Sequence, residues 1–117
     1  MHPGQTRPNE LECAILERIA QDEPWLQGPF ASLHVLSREF TGVGSYTNFV
    51  CDELDSQDDP FPGLDPLIRV PGVPSGMGAV LHCRAKRPKC LELFTYGDDL
   101  WDGTCDGFTF EETPKPN

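Results

Sequence analysis

The sequence predicts an α+β fold, with one N-terminal amphipathic helix packed on a mostly antiparallel sheet of about five or six strands. Three observations carry this expectation. Helical spacing of apolar residues occurs once, between residues 11 and 19. From Ala31 onward, short segments rich in β-branched and aromatic side chains take over. The 12 prolines and 11 glycines then divide the chain into many turns.

Residues 1–8 hold two prolines and few apolar side chains, so they are expected to form a flexible arm ahead of one domain spanning 9–112. Asn9 precedes Glu10, Leu11 and Glu12 in the pattern of a capping box, in which the Asn9 side chain and Glu12 each satisfy a free amide. Leu11, Ile15, Leu16 and Ile19 form the inward stripe of the helix that follows, with Glu10, Glu17 and Arg18 outward. Pro24 disfavours helical geometry at Glu23 and ends it, and Trp25, Leu26 and Phe30 add apolar mass to the exit loop.

Strand-like segments at about 31–40 and 45–53 flank Gly42-Val43-Gly44 and read as a hairpin. Residues 52–63, with five acids and two prolines, read as a solvated loop. Leu67 to Val70 is a short strand whose flanking prolines, Pro66 and Pro71, point to a sheet edge, and Gly72 to Gly78 reads as a connection. The strongest hairpin signal joins 79–85 to 90–96 through a turn at Lys86-Arg87-Pro88-Lys89. If Ala85 pairs with Cys90, then Leu81, Cys83, Ala85, Cys90, Phe94 and Tyr96 share one face, and Val80, His82, Leu91, Leu93 and Thr95 the other. Both faces are partly apolar, so one helix leaves the second to loops, a partner or a homodimer contact. Residues 107–112 alternate as a last strand, and 113–117 are expected to fray.

Composition bounds the function. The net charge of −10, from 19 acids and 9 bases, disfavours contact with nucleic acid or anionic membrane. No apolar run approaches the roughly 18 residues of a membrane span. Met1 to Gln5 lacks the charged-then-apolar order of a secretory leader, which makes a cytoplasmic location the expectation. Cysteines at 13, 51, 83, 90 and 105 form no Cys-x-x-Cys pair and read as reduced, mostly buried thiols.

Thr41-Gly42-Val43-Gly44-Ser45-Tyr46-Thr47-Asn48-Phe49, together with Leu91-Glu92-Leu93-Phe94-Thr95-Tyr96-Gly97 and Trp101, resembles segments of a group of small bacterial α+β proteins. The resemblance covers about a fifth of the chain. It implies a compact bacterial domain, and some proteins of this kind serve as immunity proteins in toxin systems. It lends no catalytic residues.

No catalytic, metal or cofactor constellation has matching residue types and spacing. His82, Cys83 and Cys90 lack the paired ligand spacing of zinc sites, and adjacent strand residues face opposite ways. Asp98, Asp99, Asp102 and Asp106 miss the final bidentate glutamate of a calcium loop, whose place Thr113 holds. Ser45 and Ser75 lack the setting of a nucleophile elbow or phosphate loop, and His34 with Cys51 rests on residue type alone.

Two charge features remain. Arg84, Lys86, Arg87 and Lys89 make a cationic hairpin tip, read as a guard against edge pairing. Acids gather at Asp55, Asp58 and Asp59 and at Asp98, Asp99 and Asp102, two loops that could cover a basic cleft. The expectation is therefore a non-enzymatic binding protein, most concretely an immunity protein neutralising a basic toxin, with no cofactor. The alternative is a small-molecule-binding or enzymatic domain with a pocket between the helix and Trp25, Tyr46, Phe94 and Trp101.

Overall fold

The computed structural model describes residues 7–26, 28–50 and 61–112. It contains helix α1 (Glu10–Asp22) and strands β1 (Val35–Phe40), β2 (Gly44–Phe49), β3 (Leu67–Val70), β4 (Val73–Arg84), β5 (Arg87–Thr95) and β6 (Thr109–Glu111). The strands form one sheet in the order β1-β2-β5-β4-β3-β6, with every neighbouring pair antiparallel. This is the expected α+β architecture, with six strands. No helix among the described residues is long and apolar enough to cross a membrane.

The capping box starts α1 as its sequence dictates. The Glu12 amide donates to Asn9 Oδ1 at 2.8 Å, and the Asn9 amide donates to Glu12 Oε1 at 2.9 Å. Leu11, Ile15, Leu16 and Ile19 are buried against the sheet. The Glu23 amide closes the last turn on the Ile19 carbonyl, and Pro24 prevents continuation. Leu26 and Phe30 then enter the core, whereas Trp25 is half-buried with its indole donating to Glu23 at 2.7 Å.

Alternation along the strands fixes the two faces. Ser45, Thr47 and Phe49 of β2, Leu91 and Leu93 of β5, Met77, Ala79, Leu81 and Cys83 of β4, and Ile68 and Val70 of β3 are buried. Tyr46, Asn48, Val80, His82, Cys90, Glu92 and Phe94 alternate with them and are intermediate or exposed.

This register corrects the one expected for the β4–β5 hairpin. The turn consists of Ala85 and Lys86 alone, both with positive φ (53° and 64°), between paired Arg84 and Arg87. Cys83 then pairs with Pro88 and His82 with Cys90, which leaves Lys89 as a bulge residue. Proline is tolerated there because the ladder is interrupted. The offset from the expected register is odd, so the faces of β5 exchange: Leu91 and Leu93 point into the core, and Cys90 and Phe94 away from it.

Three further expectations are corrected. β3 is not an edge strand, because its prolines lie outside the ladder and β6 pairs along its free side, Ile68 opposite Phe110. Residues 73–78 belong to β4 rather than to a connection. Gly76, at φ 80°, relieves a register shift there, and Gly78 leaves room for the Phe94 ring and Tyr96 hydroxyl lying over it. The cationic tip crowns the central β4–β5 pair, so it guards no edge; the edges are β1 and β6. Within the expected 52–63 loop, only 61–63 fall among the described residues, and there Gly63 bridges to Val80.

Topology gathers turns at one end of the sheet. The β1–β2 turn (41–43), the β3–β4 turn (71–72) and the exit of β5 at 96–97 lie there, and the Ala85–Lys86 tip lies at the other end. The nine residues of β5 separate the two ends by about 30 Å.

Candidate functional site: the acidic end of the sheet

From Thr95, the chain must pass the ends of β4 and β3 to reach β6, so residues 96–108 run across the turn-bearing end. Backbone bonds pin the first part of this connection, as far as Trp101. The Thr95 amide donates to Val43 O at 2.9 Å, Tyr96 to Gly76 O at 3.0 Å and Trp101 to Gly42 O at 2.9 Å. Gly97, at φ 67°, makes the bend out of β5.

The connection contains four aspartates and no lysine or arginine. Asp98 is exposed. Asp99 is half-buried and structural: its Oδ2 accepts from the Ser75 amide at 2.7 Å, and its carbonyl from Thr95 Oγ1 at 2.8 Å. Asp102 is exposed and accepts from the Thr104 amide at 2.9 Å, which holds its carboxyl below the ordinary range. Asp55, Asp58 and Asp59 lie outside the described residues.

Between Asp99 and Trp101 the chain does something its sequence conceals. Trp101 is buried, 7% exposed, with its indole donating to Thr104 O at 2.8 Å and its ring centroid 5.9 Å from that of Phe40. Leu100 is 75% exposed. Beside it lies a depression of about 390 Å³ lined by Gly42, Pro71, Gly72, Val73, Leu100, Trp101 and Asp102. Its sequence signal is an apolar residue placed inside an aspartate-rich loop.

The pocket expected among Trp25, Tyr46, Phe94 and Trp101 is not assembled. Tyr46 and Phe94 lie on the face away from α1, where Phe94 packs edge-on against Tyr96 at 5.5 Å, while Trp101 belongs to the core cluster and Trp25 packs against it.

The remaining candidates also separate. His82 faces Glu92 at 3.3 Å on the outer face, while Cys83 points into the core. No group of three or more His, Cys, Asp or Glu among the described residues is arranged to hold a metal ion. Ser45 is buried in β2, and His34 is exposed beside Arg7, with Cys51 outside the described residues. Burial, followed by neighbouring carboxylates, pushes the thiols of Cys13, Cys90 and Cys105 up, away from nucleophilic thiolate character.

No family model matches the chain, and no curated protein or solved structure is similar to it.

Proposed function

We propose that this chain is a non-enzymatic binding protein whose acidic β5–β6 connection meets a basic protein partner. The observation carrying the reading is that Asp98 and Asp102 are exposed on a loop that has no cation of its own and is pinned by backbone bonds to Val43, Gly76 and Gly42. A fixed negative surface steers a positive partner and sets its orientation at little ordering cost. The most concrete form of this role is an immunity protein that covers the basic cleft of a bacterial toxin, and the resemblance of the 41–49 and 91–97 segments favours that form.

The test is affinity capture from the native host at low and high ionic strength. A basic partner retained at low salt and released at high salt supports the reading. Binding that is indifferent to salt, or no binding, overturns it.

A further inference from the structure

We infer that the groove beside Leu100 is a docking site for a partner segment that presents one apolar side chain between lysine or arginine residues. This rests on the binding reading above and specifies what the partner must offer. A single exposed leucine is ordinary on a protein surface. Leu100 differs because both neighbours are clamped inward, Asp99 by Ser75 and Thr95, and Trp101 by Gly42 and Thr104. Its exposure is therefore built into the loop, and docking against it orders nothing new.

The groove next to it has an apolar floor from Pro71, Val73 and Trp101, with Asp102 among its lining residues. An apolar side chain seated beside Leu100 would carry its flanking residues past Asp98 and Asp102, and charge complementarity makes those residues cationic. The same charges argue against a second copy. A two-fold contact through Leu100 would set each aspartate group against its own image. A head-to-tail contact would bring the Ala85–Lys86 tip, which is cationic but offers the groove only a methyl group.

The test is a titration of the full ¹⁵N-labelled chain with the synthetic peptide Gly-Lys-Lys-Leu-Lys-Lys-Gly, its serine-for-leucine form and its glutamate-for-lysine form. The Trp101 indole resonance and the Leu100 amide are the reporters. The leucine peptide is expected to shift both saturably, the serine peptide to bind about fivefold more weakly, and the glutamate peptide not to bind. Leu100→Ala should weaken the leucine peptide about tenfold with an unchanged unfolding temperature. Asp98→Asn with Asp102→Asn should flatten the salt dependence.

Equal binding of the serine and leucine peptides, or shifts that miss Trp101, would overturn the groove while leaving a purely electrostatic binding surface intact. Self-association in sedimentation that Leu100→Ala abolishes would overturn the choice of occupant. If the native-host capture also yields no salt-sensitive partner, the underlying binding reading fails with it.

Discussion

Glu12 and Arg38 meet across the α1–sheet interface through two hydrogen bonds, Nη2 to Oε1 at 2.7 Å and Nε to Oε2 at 3.0 Å. Glu12 is 2% exposed, and it also accepts from Asn9 N and from the hydroxyl of fully buried Thr47 at 2.7 Å. One carboxylate thus caps the helix and ties it to β1 and β2. Removing it takes the carboxylate from a half-buried guanidinium and from the buried Thr47 hydroxyl, so Glu12→Ala should cost about 3 kcal/mol in urea unfolding. A paired change, Glu12→Leu with Arg38→Met, should recover only part of that loss, because the buried Thr47 hydroxyl still loses its acceptor.

The same group sets an acid limb. Burial by itself pushes the Glu12 carboxyl up, but the bonds from Arg38, Asn9 and Thr47 and the Arg38 charge outweigh it and hold it below its ordinary value. A depressed folded value means stability that is complete above the unfolded value, about 4.3, and that falls as pH drops through the folded one. Thermal unfolding followed downward from neutral pH should therefore show a shallower acid slope in Glu12→Gln than in the parent chain.

Asn9 contributes separately through its side-chain oxygen. Asn9→Ala removes the acceptor for the Glu12 amide while leaving Glu12 in place, and should lower stability by about 1 kcal/mol. The loss should appear as faster amide exchange in the first turn of α1.

The Ala85–Lys86 turn stores strain, since each residue adopts a left-handed conformation that costs roughly 1 to 2 kcal/mol without glycine or asparagine. Ala85→Asn with Lys86→Gly supplies the residues such a turn prefers. It should raise stability by about 1 kcal/mol, read as a higher unfolding midpoint, after the larger unfolded-state entropy of glycine is subtracted. No change in midpoint would count against a left-handed turn.

That turn also shows where the sequence stopped being legible. The helix was readable because Asn9, Glu12 and the Leu11 to Ile19 stripe act within a few residues of one another. The β4–β5 register was not, because Ala-Lys carries no two-residue turn signal and Pro88 suggested a longer loop. Gly76 and Gly78 read as a connection because their use depends on Leu67, Phe94 and Tyr96 brought over them by pairing. The acidic residues of the candidate site were visible as charges, but the outward placement of Leu100 was not. It depends on Gly42 and Ser75, which lie in other strands and turns.

The strand order has a kinetic consequence. The β1–β2, β3–β4 and β4–β5 pairs are each joined by a short turn and can close locally. The β2–β5 seam joins Thr47 to Leu91 across the whole stretch that contains β3 and β4. Its loop-closure entropy, like that of the equally distant Leu67–Glu111 pairing of β3 with β6, must be met before any native contact across it helps, so this seam is expected to close after the local turns. The two halves of the sheet would wait for it as separate, short-lived hairpins.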